Sequence, residues 1–170
     1  MINSINSFAH YNQNLLKNLD VYIITDSKIG LNLKHIDDRV KYHVIKDVHY
    51  DYSCLGTGYR KNWSYHVYFR WEIFSNPLFW EIDNLLYLDN DTEFVGSLSE
   101  LFFERSNPQI LMVEETVNHV NSEIGEHVID KYYNSGVMMI TPKLMGKELL
   151  QLAFQNLIEC AKSRHWKWPN

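Results

Sequence analysis

The chain has 170 residues, 45% of them hydrophobic and 22% charged, with a formal net charge of -5 and a pI near 5.9. Its length and apolar share suit one domain built on one core, and an acidic balance without a clustered basic face argues against a nucleic-acid-binding surface. No apolar run reaches the length of a membrane span, and the amino terminus lacks a signal peptide's basic segment and apolar core, so the expected protein is soluble and cytoplasmic.

Ile2 to Phe8 reads as a short opening strand, Ala9-His10-Tyr11 as a turn and Asn12 to Asn18 as a helical stretch. In a doubly wound sheet the first strand-to-helix turn commonly meets a nucleotide, which makes Ser7, Phe8, His10 and Tyr11 candidate base or ribose contacts. Val21 to Thr25 predicts a second strand, ending at Asp26 and followed by turn residues through Gly30. Val40, Tyr42 and Val44 then alternate with Lys41 and His43, the period of a strand with one buried and one wet face. His43 needs only solvation there.

Residues 47 to 62 read as irregular, and Gly56-Thr57-Gly58 at their centre as a loop, because no strand closely precedes it and no helix follows at once. Cys54 and Cys160 have neither a disulfide framework nor metal-site spacing. Trp63, Val67, Trp71 and Phe74 mark the apolar stripe of an amphipathic helix that Pro77 ends, with Arg70 at the edge of the stripe.

Leu85-Leu86-Tyr87-Leu88 predicts a fully buried strand, and Asp89-Asn90-Asp91 follows at its carboxyl end. Side chains at i and i+2 project to the same side of an extended segment, so Asp89 and Asp91 can share one hard cation. An EF-hand reading places Asp89, Asp91, Glu93 and Glu100 at metal-loop positions, but Phe94 stands where the turn needs Gly. A haloacid-dehalogenase-type phosphatase also ends a buried strand in Asp-x-Asp, usually near the start of the chain and without Glu93. A metal-diphosphate site of a glycosyltransferase is a third reading, and a plain strand-end turn is the fourth. Asn90-Asp91-Thr92 is also an N-glycosylation triplet, and a glycan there would block the site.

Ser97 to Glu100 has the pattern of a capping box, which makes Glu100 a helix cap rather than a ligand. Ile110 to Val113 predicts another buried, central strand; its acidic end, Glu114 and Glu115, would lie on the ligand-binding edge of an open α/β sheet, where either could meet a ligand's hydroxyls or simply be solvated. Residues 116 to 131 are polar and include His119 and His127. Tyr133-Asn134-Ser135-Gly136 leads into Val137 to Ile140, and Leu150, Ala153, Phe154, Leu157, Ile158 and Ala161 mark a closing helix.

Ser64-x-x-x-Tyr68-x-Arg70, the Asp-x-Asp strand followed by Leu98-x-Glu100-Leu101-Phe102, and Tyr133-Asn134-Ser135-Gly136 occur in an order and spacing that resemble the retaining glycosyltransferases of family 8. The resemblance covers roughly residues 60 to 145. It implies a single GT-A-like (Rossmann-like) α/β sandwich over residues 1–170, its sheet mostly parallel, twisted and flanked by helices. It also implies transfer of a sugar from a nucleotide diphosphate, such as UDP-glucose or UDP-galactose, to a hydroxyl of a glycan or glycoprotein.

On the matching positions, Asp89 and Asp91 would hold Mn2+ or Mg2+, Arg70 would face the donor's sugar and phosphates, and Asn134 would set its amide against the sugar. Asn90 and Ser135 would join Ser7, His10, Tyr11 and Glu115 in contacting the donor. The resemblance further implies an Asp-Gln pair and a later His that completes the metal shell, and neither follows Trp166-Lys167-Trp168-Pro169-Asn170 here. His165 is therefore not assigned. The expectation is either a fragment or a minimal catalytic domain that holds its metal through aspartate, diphosphate and water. The alternative is a sugar-nucleotide-binding module without turnover.

Overall fold

In the computed structural model, residues 1–25, 33–55, 65–102, 107–115 and 132–163 are described. Asp26, Gly56-Thr57-Gly58, Trp63, Ser64, His119, His127, His165 and the tryptophan-rich end lie outside them.

The chain opens with helix α1, Ile2–Tyr11, where a strand was expected. Ser4, Ile5, Phe8 and Ala9 are its buried positions, a 3–4 spacing that gives a helix one continuous inner face, whereas a strand would leave half of them in water. Asn12 ends the helix outside the helical region (φ -125), where its amide donates to Phe8 O at 3.1 Å. Only a short 3-10 turn, Leu16–Asn18, forms in the stretch expected to be helical.

Strands β1 (Val21–Ile24) and β2 (Tyr42–Ile45) form close to where strands were expected, and they pair in parallel. The expected alternation in β2 does not hold, because Tyr42 is 39% exposed and half-burial falls instead on Val44 and Ile45. The helix predicted around Arg70 is a 3-10 run, Tyr65–Trp71, continued by one α turn, α2 (Glu72–Ser75). Asn76 stops it ahead of Pro77 and accepts from Leu78 N–H at 3.1 Å.

Strands β3 (Leu85–Leu88), β4 (Ile110–Glu115) and β5 (Tyr132–Ile140) form an antiparallel sheet in the order β3-β5-β4. The described strands thus make an α/β arrangement of two small sheets, not the single, mostly parallel sheet expected. β5 takes the middle because Met138, Met139 and Ile140 are all buried, so both of its faces are covered. β4 was expected to be buried and central, yet it is an edge strand with Ile110, Leu111 and Val113 exposed. β3 is half-buried along its length.

Helix α3, Pro142–Ser163, starts earlier than its apolar spacing suggests and breaks at Gly146, whose φ of 76° is costly for any residue with a Cβ. Beyond the break, Leu150 packs with Ile73, Phe74, Phe79, Met138 and Ile140 in the central core. Ile5, Ala9, Ile23, Ile36 and Val40 form a second cluster under α1, and Tyr52, Phe69 and Ile158 a third. Each fully buried aliphatic or aromatic side chain in these clusters contributes about 1.5–3 kcal/mol.

Candidate active site

The carboxyl end of β3 meets a distortion in β5, and this meeting builds the site. Pairing of β4 with β5 runs Met112 to Met138 and then jumps from Val113 to Asn134, so Ser135, Gly136 and Val137 bulge out of that ladder. A bulge re-aims the residues it contains. Here β3 holds the bulged segment from the other side, through Leu88 opposite Val137 and through Asp89 N–H donating to Gly136 O at 2.8 Å.

At this point the backbone lies so close to the Asp89 carboxylate that a Cβ would have to push it aside. A Cβ on Gly136 would stand 2.9 Å from Asp89 Oδ2 and 3.0 Å from Asn134 Oδ1. The constraint is steric and owes nothing to a left-handed backbone.

Arg70 reaches the same place from the 3-10 run. Its Nε–H donates to Val67 O at 2.9 Å, which fixes the direction of the guanidinium, and Nη1 donates to Ser135 Oγ. Nη2 lies 3.2 Å from Asp89 Oδ1 and 3.4 Å from Oδ2. Tyr87 completes the network by donating its hydroxyl to Asp89 Oδ1 at 2.6 Å, while the Arg70 guanidinium sits 5.6 Å from the centre of its ring. Burial, with the adjacent carboxylate adding to it, raises the Tyr87 phenol above its ordinary range and keeps it a donor. The pattern hid Tyr87 inside an apolar run, although the i, i+2 rule that pairs Asp89 with Asp91 also pairs Tyr87 with Asp89.

Asp91 differs from Asp89: it is exposed and makes no hydrogen bond or ion pair among the described residues. Asn90 offers no free carbonyl, because its oxygen accepts from the Met1 amino group and from Ser4 Oγ at 3.0 Å. Two further contacts tie α1 to the segment after the aspartates: Ser7 Oγ accepts from Phe94 N–H at 3.0 Å and Asn12 Oδ1 from Leu98 N–H at 2.6 Å. The helix therefore acts as a splint along Asn90 to Leu98, a role that the sequence reading missed with the helix itself.

Among the other expected residues, Asn134 is exposed, and its Oδ1 accepts from Gly136 N–H at 2.7 Å, which leaves the amide nitrogen to donate outward. His10 and Tyr11 stack edge to face at 4.8 Å on the exposed part of α1. A cavity of about 970 Å3 is lined by Arg70, Asp89, Asn90 and Asp91, but not by Ser7, His10, Tyr11, Asn134 or Ser135. Glu115 closes β4, and its side chain lies outside the described set, as does that of Glu100. Ser97 Oγ does accept from Ser99 N–H at 3.2 Å, ahead of a 3-10 turn, Ser99–Phe102.

No group of three or more His, Cys, Asp or Glu side chains able to hold a metal occurs among the described residues. Two carboxylates, one of them without a hydrogen bond or ion pair among the described residues, still suit a cation that completes its shell with phosphate and water, as magnesium-like ions do. The arrangement can therefore fix one anionic ligand between a cation and a guanidinium.

A family model described as glycosyl transferase family 8 matches residues 1–169. The chain belongs to glycosyl transferase family 8. It is accordingly a glycosyltransferase, and members of the family are typically metal-dependent. No curated protein and no solved structure matched the chain. Among the described residues, no helix is long and apolar enough to cross a membrane. Arg70, Asp89, Asn134 and Ser135 are brought together here from three separate segments.

Proposed function

We propose that the protein is a retaining glycosyltransferase of GT-A type that moves a hexose from a UDP-sugar to a hydroxyl of a glycan or glycoprotein, with Mn2+ or Mg2+ bound at Asp91 and Asp89. The observation that carries this reading is the convergence of Arg70, Asp89 and the bulged Asn134-Ser135-Gly136 segment at one strand end. The bound cation supplies neutralisation of the charge that develops on the departing diphosphate. Tyr87 and Arg70 hold the Asp89 carboxylate in one orientation. Arg70 keeps a second N–H on Nη1 for a phosphate oxygen, a charge-assisted contact that strengthens as negative charge grows.

The outward amide nitrogen of Asn134 orients the sugar, an effect that acts through the geometry of attack. In the proposed reaction the bond from the anomeric carbon to the diphosphate oxygen breaks, and the acceptor oxygen bonds on the same face. The acceptor's proton passes to the leaving phosphate. Glu115, Ser7, His10 and Tyr11 remain proposed contacts to sugar, base or ribose, which a structure with bound uridine diphosphate would test.

The direct assay is release of UDP from UDP-glucose and UDP-galactose by the 170-residue chain, with Mn2+ and with excess chelator. Release that depends on the metal is expected, and UDP-sugar binding without any release overturns the reading. Gly136→Ala offers a finer test, because its methyl would press on Asp89 Oδ2 from 2.9 Å. A displaced carboxylate should lower kcat/KM by about 10- to 100-fold. Unaltered kcat/KM would show that Asp89 need not hold its position.

A further inference from the structure

Asp89 and Asp91 stand in a closed turn rather than on an extended run. Thr92 N–H donates to Asp89 O at 3.1 Å, which makes Asn90 and Asp91 the two central residues of a β-turn. The peptide that joins them is the part of such a turn with two choices, because type I and type II turns differ by roughly a half-turn of that one unit. No described residue other than glycine has a positive φ, so Asp91 does not take the value of about 80° that a type II turn gives its third residue. The central peptide has one defined orientation.

Both ends of the turn are anchored elsewhere. Asp89 N–H is bonded to Gly136 O, and beyond Thr92 the chain is held on α1 by Ser7, which accepts from Phe94 N–H, and by the edge-to-face pair of Phe8 with Phe94 at 5.3 Å. What is left to set is the central peptide, and Ser4 of α1 reaches it: Oγ–H donates to Asn90 O at 3.0 Å. A helical serine often turns its hydroxyl back onto its own helix, as Ser7 does by donating to Ser4 O at 3.0 Å. Ser4 is 8% exposed and directs its single proton at the turn instead. The Met1 amino group also donates to Asn90 O, but it is exposed, and water can replace it; the buried hydroxyl has no such substitute.

A planar trans peptide carries the Asn90 C=O and the Asp91 N–H on opposite sides, so an anchored carbonyl fixes the Asp91 nitrogen and, through it, the direction of the Asp91 Cα–Cβ bond. Asp91 has no hydrogen bond or ion pair of its own among the described residues, and its carboxylate therefore takes its aim from the backbone.

We propose that Ser4 is a positioning residue: its hydroxyl holds the Asn90–Asp91 peptide in one of the turn's two orientations and so fixes the direction in which Asp91 offers its carboxylate to a divalent cation. The inference rests on the reading of Asp89 and Asp91 as the metal ligands. Ser4 itself touches neither cation nor donor in this scheme, and its effect falls on metal affinity rather than on the chemical step.

The test titrates Mn2+ into the 170-residue chain with saturating UDP and reads free Mn2+ by electron paramagnetic resonance. Ser4→Ala should raise the Mn2+ dissociation constant about 3- to 10-fold, the loss expected for one buried hydrogen bond that shapes a ligand. In initial-rate assays the Mn2+ concentration for half-maximal UDP release should rise by the same factor, while kcat at saturating Mn2+ returns to within about twofold. Asn6→Ala is the control for a loosened helix: it removes the contacts of α1 with His35 O at 2.8 Å and Asp37 N–H at 3.0 Å without touching the turn, and should leave Mn2+ affinity unchanged. Equal weakening in Asn6→Ala, a lower kcat with an unaltered Mn2+ constant, or parental Mn2+ affinity in Ser4→Ala each overturn the proposal. Asp91→Asn separates this failure from failure of the metal reading: if Mn2+ binds that variant as it binds the parent, the carboxylate is not a ligand and both fall.

Discussion

Asp91→Asn is expected to lower metal-dependent UDP release by about 100-fold or more while leaving the melting temperature unchanged. The two parts of this expectation have separate causes. Asp91 is exposed and without hydrogen bonds or ion pairs among the described residues, so an isosteric amide removes a charge and breaks no protein contact. What it does remove is an anionic oxygen for the cation, whose stabilisation of a leaving diphosphate is worth several kcal/mol; a loss of about 3 kcal/mol is roughly 100-fold in rate. Asp89→Asn makes the contrasting case, because Asp89 also receives Arg70 and Tyr87, and that variant should lose stability together with activity. Initial rates at saturating Mn2+, read beside thermal melts of both variants, separate the roles. Wild-type rates in Asp91→Asn would remove the carboxylate from the reaction.

The residues that mattered most at the site were those whose chemistry is conspicuous in a string of letters. An apolar run that ends in two carboxylates calls for a counter-charge, and that much is visible in the letters; that a Cβ on Gly136 would stand 2.9 Å from Asp89 Oδ2 is visible only in the fold. Tyr87 escaped notice because its ring belongs to the apolar run and only its hydroxyl to the site. The opening helix escaped for a different reason: seven residues are too short a window for apolar spacing to separate helix from strand, and Ser4, Ser7 and Asn12 show their purpose only once Asn90 to Leu98 lies beside them. Strand direction was not legible at all. Leu85 to Leu88 and Val137 to Ile140 have the composition of central parallel strands, yet they pair antiparallel. Direction depends on how the intervening chain returns, and apolar periodicity does not record that path.

Glu72→Ala should be among the most destabilising single substitutions in the chain, at about 3–5 kcal/mol. Glu72 is fully buried, a position that a carboxylate tolerates only when its lone pairs are met. They are met by four donors: Tyr52 hydroxyl at 2.8 Å and Ser75 hydroxyl at 3.4 Å on one oxygen, and His49 N–H at 2.8 Å and Asn76 amide at 3.2 Å on the other. Truncation strands these donors, each at about 1–3 kcal/mol where water cannot replace the carboxylate. Against a total stability of roughly 5–15 kcal/mol that is a large share. Urea melts should show the loss, and a cycle with Tyr52→Phe should show a coupling of about 0.5–3 kcal/mol, since both changes remove the same bond. Glu72 clamps His49 and Tyr52 to α2 and shares none of the partners that hold the Arg70 guanidinium, which are Val67, Ser135 and Asp89. Below its lowered melting temperature Glu72→Ala should therefore retain kcat within a few-fold. A variant that melts like the parent would mean that the four hydrogen bonds contribute no more than water would in their place.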